Sequence, residues 1–417
     1  MVNYTSNTYK LKRNILNFSN KISKHHSKPY RKFAADMIYG MLASRSCLLS
    51  EIVHNLHENT KKVNSVERLT RHLNKGVPIL ASKAYLNIIR KWVPNEPIIH
   101  IDDSDVVKPD GYKFESLGMV RDGSKSTSSK TIYQKGYQVT ESCVITSSNH
   151  PVSIYSKIHS SREKEFKSVN NYTFDAINRG VAMFGKATFV MDRGYDDNKM
   201  FLKLDELNQD YVIRLKKNRK LFYHNKWIMA TELCNRRKGK IKTDFFYKGK
   251  KHTAYLSHIK AKITASKKDD YLVLVYGITE SPMMLVTNKP IKSKDDVINV
   301  AKNYFSRWRI EEYFRCKKQT FDFENFRVRN LKAINALNFY ITVCMAYLAS
   351  ISMKNETNSL KVAIIKNANA IKEKVNFHYY RIAKGIQGIL SYAKEGVRLW
   401  FKTKRPKYRQ LCLRLVA

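Results

Sequence analysis

The sequence lacks paired cysteines, a secretory signal and an uninterrupted membrane-length apolar run, and each absence excludes a class of protein. The six cysteines lie far apart, with no Cys-x-x-Cys and no histidine at zinc-finger spacing, so we expect reduced, mostly buried thiols. The N-terminus has no apolar segment before a small-residue cleavage site, so no export is expected. These features favour a cytoplasmic protein.

The longest apolar stretch, residues 337–353, predicts a buried core helix. It is interrupted by polar side chains and is shorter than the roughly 20 residues that a membrane-spanning helix requires. We therefore expect no membrane contact.

Acidic residues are also scarce relative to basic ones. The chain has 77 Lys and Arg against 35 Asp and Glu, a formal net charge of +42 in 417 residues. Such a surface repels itself unless it faces a polyanion, so nucleic acid is the expected partner. The apolar content of 43% supports sizeable cores and excludes a mainly disordered chain.

The first hundred residues indicate a basic helical unit. Residues 1–28 are polar and basic without an evident period, so we expect a flexible arm there. Apolar residues then recur at three- and four-residue steps across residues 30–56, and another helix opens near Ser65, a candidate cap. This unit either contacts DNA or packs on the following domain as a simple bundle.

The middle of the chain alternates strands with acidic residues. Residues 98–101 form a short apolar run that ends at Asp102, and residues 187–191 form a second run that ends at Asp192. Between them we predict a hairpin, residues 136–145 with 152–158, and a helix over residues 169–184; a polar loop, residues 121–132, should be mobile at the surface. Short strand patterns follow over residues 211–287, and then two long helices over residues 293–320 and 333–353. This is the order of an α/β, ribonuclease H-like core with a β-rich insertion.

The first of these long helices has an unusual arrangement of charges. Tyr304, Arg307, Glu311 and Lys318 would lie within about 60° of one another on a regular helix. The carboxylate could hold a metal ion while its cationic neighbours bind phosphates. The alternative is a solvated helix face with an Arg307–Glu311 pair.

Tyr-x2-Arg-x3-Glu-x6-Lys resembles the signature of one branch of the DDE transposases of bacterial insertion sequences, and residues 304, 307, 311 and 318 match it without a gap. Asp102-Asp103-Ser104 resembles the family's first Asp motif, and Asp192-Arg193-Gly194-Tyr195 its second. Residues 285–288 resemble the strand before the signature helix.

The resemblance implies a metal-dependent DNA transposase. Asp102, Asp192 and Glu311 would be its catalytic, metal-binding triad, and Tyr304, Arg307 and Lys318 would contact the transposon end. Clustered carboxylates suit Mg²⁺ or Mn²⁺. The family picture adds a homodimer on paired DNA ends, which would act on the element's double-stranded ends and on target DNA. The implied division is a flexible arm (1–28), a helical DNA-binding domain (29–96), the first part of the core (97–205), a β-rich insertion (206–290), the second part of the core (291–353) and a basic helical C-terminal region (354–417).

Several alternatives remain open at this level. Asp103 or Asp105 could replace Asp102 as the first ligand, because neighbouring residues on a strand point to opposite faces. His100 could be a packed core histidine or a catalytic group. The basic run of residues 216–220 could be a solvated turn or a DNA contact. The chain could also be a catalytically silent DNA-binding regulator, or a ribonuclease H-like endonuclease without strand transfer.

Overall fold

The structure, a computed structural model, describes residues 4–127, 129–247, 250–263, 268–368 and 377–401. Its strands are β1 (Ile98–Val107), β2 (Gly118–Arg121), β3 (Tyr133–Ile145), β4 (Pro151–His159), β5 (Thr188–Met191), β6 (Asp210–Arg214), β7 (Lys220–Tyr223), β8 (Lys226–Met229), β9 (Ile241–Tyr247), β10 (Lys250–Ile263), β11 (Asp270–Tyr276) and β12 (Met283–Thr287). Its helices are α1 (Tyr4–Ser23), α2 (Lys28–Ser44), α3 (Leu49–Leu56), α4 (Lys62–Asn74), α5 (Ile79–Arg90), α6 (Val169–Phe184), α7 (Asn198–Glu206), α8 (Ala230–Asn235), α9 (Lys294–Phe305), α10 (Trp308–Phe321), α11 (Leu331–Ser352), α12 (Ser359–Lys366) and α13 (Tyr379–Leu390). The protein is therefore a mixed α/β structure.

The strands form one mixed sheet, and its centre carries the acidic motifs. β1 is antiparallel to β3 and parallel to β5, and β5 is parallel to β6. Every side chain of β5 and of β12 is buried, as expected of short apolar runs in the middle of a covered sheet. The predicted hairpin is confirmed as β3 and β4, and the predicted helix over residues 169–184 is confirmed as α6.

The strand patterns after β6 are confirmed as strands, but they extend the central sheet. The order is β2-β3-β1-β5-β6-β12-β11-β10-β7-β8, with β4 beside β3 and β9 beside β10. The segment predicted as a β-rich insertion, residues 206–290, is therefore hydrogen-bonded to the core through its first strand, because β6 pairs with β5 on one side and with β12 on the other. The domain boundaries inferred from the sequence stay predictions.

The expectation of a flexible arm at the N-terminus is wrong for residues 4–23, which form α1. Leu11, Ile15, Phe18 and Ile22 recur at helical spacing on this segment and are buried. Helix α1 packs against α2, α5 and α13. The apolar stripe was present in the sequence, but the surrounding Lys and Asn residues obscured it.

The helices predicted after the arm are confirmed as α2, α3 and α4, with one correction. Helix α4 begins at Lys62, so Ser65 lies inside the helix and does not cap it. Its hydroxyl instead donates to the Glu58 carboxylate at 2.5 Å. Arg68 on the same helix pairs with Glu58 and with the buried Asp36. A buried ion-pair network thus holds this unit together.

Helix α11 is the core helix expected from the long apolar stretch. It is long and apolar enough to cross a membrane, but 83% of its most apolar window is buried inside the protein. It packs against α2, α4, α13 and β4. The predicted helical C-terminal region is described as α12 and α13, and its last residues, 402–417, lie outside the described part of the chain.

The five described cysteines are buried and unpaired, as expected from their spacing. These are Cys47, Cys143, Cys234, Cys316 and Cys344. Cys412 lies outside the described residues.

Candidate active site

Strand β1 is longer than its apolar run predicted, and this changes the setting of the first acidic motif. The strand does not end at Ile101 but continues to Val107, so Asp102 lies inside it, opposite Glu141 of β3. The central sheet tolerates these acidic residues because each finds a cationic or hydroxyl partner, as described below. The strand backbone thereby holds Asp102 rigidly.

The predicted single helix over residues 293–320 is two helices. Helix α9 ends at Phe305 and α10 begins at Trp308, with a tight turn in which the Arg307 amide donates to the Tyr304 carbonyl at 3.0 Å. The Ser306 hydroxyl donates to the Asn303 carbonyl at 2.7 Å. The four signature residues therefore do not share one helix face: Tyr304 lies on α9, Arg307 in the turn, and Glu311 and Lys318 on α10.

His100 of β1 holds this turn against the sheet. Its Nε2 lies 2.9 Å from the Ser306 hydroxyl, and the residue has no solvent exposure. Burial, and then repulsion by Arg307 and Arg309, lower the pKa of His100 to about 3. A neutral, packed imidazole supports the core interpretation and not the catalytic one.

The turn places Arg307 between two acidic side chains. Its guanidinium donates to Asp102 Oδ2 at 2.7 Å and to Glu311 Oε1 at 2.5 Å. The guanidinium is only 14% exposed, whereas the Glu311 side chain is 48% exposed. The structure therefore brings together two of the three predicted acidic residues, on opposite sides of one cation.

More acidic than cationic side chains act on the carboxylate of Asp102. Burial raises the pKa of Asp102 to about 7, against the attraction of Arg307, and repulsion from Asp192, Asp103 and Glu311 adds to the rise. A carboxylate in this position is stabilised in its ionised form by any additional cation.

Asp192 follows β5 at the head of a tight turn over Arg193–Tyr195. Its Oδ1 accepts from the Gly194 amide at 2.6 Å, a local cap that orients the carboxylate. Asp192 repels Asp102 and Asp103, which lie on the neighbouring strand. The neighbouring strands β1 and β5 thus bring Asp102 and Asp192 to one region of the sheet.

Asp103 is a structural partner of this turn, which separates its role from that of Asp102. Tyr195 donates its hydroxyl to Asp103 Oδ2 at 2.9 Å, and Thr140 donates to Oδ1 at 2.6 Å. Burial raises the pKa of Asp103, and these two hydrogen bonds oppose the rise. Asp102 accepts instead from the Asp103 amide at 3.1 Å and from Arg307 at 2.7 Å, so it is Asp102 and not Asp103 that contacts the signature segment.

The other signature residues have separate surroundings. Lys318 follows Glu311 on the same helix, α10. Its Nζ lies 3.6 Å from Asp105 Oδ2 and 3.0 Å from Glu324 Oε1. Tyr304 is buried, and its ring and hydroxyl face Arg307 and Arg214. Because Tyr304 lies on α9 and Lys318 on α10, the prediction of one polar row on a single helix is wrong.

Sequence reasoning missed the ion pair that anchors α10. Lys317 donates to Glu141 Oε2 at 2.8 Å, and both side chains have no solvent exposure. Lys317 also donates to Ser156, which in turn bonds Glu141. In the sequence, Lys317 looks like one more cation of a basic helix. The one feature that could have indicated its burial is its position on the apolar side of α10.

The comparisons with known proteins bear on this arrangement. The Transposase DDE domain family matches residues 94–349, which is more than half of the chain and includes every acidic residue of the candidate active site. The chain belongs to the DDE transposase family. No curated protein matches the sequence. Membership supports a transposase role, an enzymatic activity and DNA binding for this DDE transposase, and it implies a ribonuclease H-like fold.

DDE transposases generally use divalent metal ions, and the donor chemistry of this DDE transposase fits one. Its acidic residues are hard oxygen ligands, and three of them, Asp192, Asp103 and Glu311, repel the charge of the buried Asp102. Within the described residues, no group of three Asp, Glu, His or Cys side chains stands at mutual ligand distance. The Arg307 guanidinium bonds both Asp102 and Glu311, so a metal ion held by these two carboxylates would have to displace it.

Proposed function

We propose that the protein is a DNA transposase that cleaves and joins DNA at the terminal repeats of an insertion sequence, in the branch with the Tyr-Arg-Glu-Lys signature. In this proposal Asp102, Asp192 and Glu311 hold Mg²⁺ or Mn²⁺. The enzyme acts in the cytoplasm as a homodimer on paired ends, in DNA transposition and recombination.

The observation that carries the proposal is the guanidinium shared by Asp102 and Glu311. These carboxylates come from β1 and α10, and one cation holds them together at 2.7 and 2.5 Å. A gathering of acidic side chains calls for such a cation, and the pKa of Asp102, which burial raises most, is raised further by repulsion from Asp192, Asp103 and Glu311. A solvated helix face would not bury an arginine to 14% exposure against a strand of the core.

The strand order supports a ribonuclease H-like core. β3 lies between β4 and β1 and is antiparallel to both, and β5 and β6 follow β1 in parallel. Asp102 lies on the central strand of this set and Asp192 directly after the adjacent one. In this arrangement the acidic residues converge although 90 positions separate them in the chain.

The roles of the side chains follow from where they lie. Two bound divalent ions would activate the attacking oxygen and stabilise the leaving oxygen of the phosphodiester. Arg307, once released by the carboxylates, would hold a phosphate beside them, since a guanidinium binds carboxylate and phosphate with the same fork of donors. Lys318 would contact a neighbouring phosphate, and Tyr304 would support Arg307 from behind.

Cleavage and joining assays test the proposal. Wild-type protein is incubated with Mg²⁺ and DNA that carries the repeats flanking the reading frame, and we expect cleaved and joined products. Glu311→Ala should abolish both while DNA binding persists. Glu312→Ala is the matched control, since Glu312 lies on the same helix but pairs with Arg315, and it should stay active.

The outcomes separate the alternatives. Cleavage without joining would indicate an endonuclease, and binding without cleavage would indicate a silent regulator. An active Glu311→Ala variant would show that the proposed triad is wrong. If Glu312→Ala also abolished activity, the loss in Glu311→Ala would have to be assigned to disruption of the helix and not to removal of the Glu311 carboxylate.

A further inference from the structure

The hairpin of β2 and β3 exposes an aromatic and cationic surface that the catalytic proposal does not use. Tyr112, Met119 and Tyr133 are 79%, 52% and 63% exposed, which is high for large apolar side chains. Arg121 and Lys135 lie among them. We call these five residues the hairpin face.

The strand register puts the hairpin face on one side of the sheet. Met119 lies opposite Lys135, and Arg121 lies opposite Tyr133. Residues two apart on a strand point the same way, so all four side chains share that side. The Lys135 ammonium stands 3.9 Å from the centroid of the Tyr112 ring and so joins the fifth residue to them.

The connecting loop holds the two strands in a defined geometry. Asp122 Oδ1 accepts from the Ser124 amide at 2.9 Å and from its hydroxyl at 2.6 Å, and the Asp122 amide donates to the Ile132 carbonyl at 2.8 Å. The sequence predicted only a mobile polar loop here. A hydrogen-bonded turn instead presents the hairpin face with its side chains already arranged.

The hairpin face lies on β3, the strand that pairs with the strand of Asp102, and a buried stretch with Tyr137, Val139 and Glu141 separates it from Asp102 along β3. Tyr133 and Lys135 lie on the same side of β3 as Glu141, which is opposite Asp102 in the register. Six residues separate Lys135 from Glu141, or about 20 Å of strand, close to six base steps of DNA. The surface connection runs over α10, because Lys318 pairs with Asp105, whose carboxylate lies beside Gly123 at the start of the loop.

We propose that the hairpin face binds unpaired nucleotides of the DNA strand next to the cleavage point; this rests on the proposed function. Tyrosine rings stack on bases, and neighbouring cations bind the backbone, the combination used by single-strand binding surfaces. A duplex hides the faces of its bases, so exposed rings favour an unpaired segment. A second copy of a chain with net charge +42 is a poor partner for a cationic face.

Fluorescence anisotropy with two labelled probes tests the inference. One probe is a blunt duplex, and the other is the same duplex with a single-stranded overhang. For the Tyr112→Ala/Tyr133→Ala variant we expect overhang binding to weaken by about five-fold or more per tyrosine, with little change for the blunt probe. Tyr112→Phe/Tyr133→Phe should bind as wild type, because it keeps the rings. Tyr392→Ala removes another tyrosine that is 57% exposed and serves as the control.

Photocrosslinking locates the contact independently. An overhang with 5-iododeoxyuridine should crosslink to the tryptic peptide of residues 131–135, which contains Tyr133. The inference would be overturned if the double alanine variant lost affinity equally for both probes or for neither. It would also be overturned if the variant changed its oligomeric state while overhang binding stayed intact. If the wild-type protein cleaves DNA but overhang binding does not depend on the two tyrosines, this inference is refuted and the proposed function is not. Tyrosine-dependent overhang binding without any cleavage would refute the proposed function and leave the binding surface.

Discussion

The buried pair of Lys317 and Glu141 should be the most sensitive electrostatic contact in the protein. It joins α10, which carries Glu311, to β3, which lies beside Asp102. The pair has no solvent exposure, and Ser156 bonds both partners. Glu141 Oε1 has no hydrogen-bond partner, so the carboxylate depends on Lys317 and Ser156.

Glu141→Gln keeps the size of the side chain but leaves the Lys317 ammonium buried without a counter-charge. Breaking a buried pair in this way costs about 3–5 kcal/mol of the free energy of unfolding. The Glu141→Leu/Lys317→Met double variant removes both charges and should cost much less than the sum of the single substitutions. Glu312→Gln breaks the exposed Arg315 pair on the same helix and should cost less than about 1 kcal/mol.

Urea denaturation followed by tryptophan fluorescence measures these differences, since Trp308 lies at the start of α10. The reasoning is refuted if Glu141→Gln unfolds within about 1 kcal/mol of wild type, or if the double variant loses the full sum of the two single losses. Either result would mean that water reaches the pair or that α10 is held by other contacts.

Three further outcomes are expected. Burial raises the pKa of Asp270 from 3.8 to about 6, so the protonated carboxyl stabilises the fold fully below pH 4, and this stabilisation is lost as the pH rises through 6. The loss amounts to up to about 3 kcal/mol of the free energy of unfolding, and it should be absent from the pH dependence of unfolding of Asp270→Asn. Arg307→Ala should lower the salt dependence of DNA binding by about one phosphate contact, measured as the slope of log affinity against log salt, whereas Arg315→Ala should change it less. Gly136→Ala should destabilise the fold by about 1–3 kcal/mol in the same urea assay, because a β-carbon there would stand 2.4 Å from the Val106 carbonyl oxygen.

The strands that carry the site were predictable because their signal is local. Residues 187–191 are an unbroken apolar run, and such a run reports a covered strand wherever it occurs. The bounds of β12 were predicted to the residue for the same reason. Strand β1 was predicted too short because its second half is polar, and only pairing with β3 on one side keeps Asp102 to Val107 extended.

The candidate site was predictable as a set of residues but not as a geometry. The spacing of the four signature residues identified the segment, but the prediction of one continuous helix over these residues is wrong. The helix is broken between α9 and α10, and Ser306 at this break is hydrogen-bonded to His100, 206 positions away. No local pattern contains that contact.

The sequence by itself determined the excess of positive charge, the acidic residues after apolar runs and the signature spacing, because each of these is a property of neighbouring residues. The tertiary structure alone decided that Arg307 faces two carboxylates, that Asp103 serves Tyr195, and that Lys317 and not Lys318 is buried. Helical or strand periodicity gives the direction of a side chain relative to its own element. What lies in that direction depends on how distant elements pack.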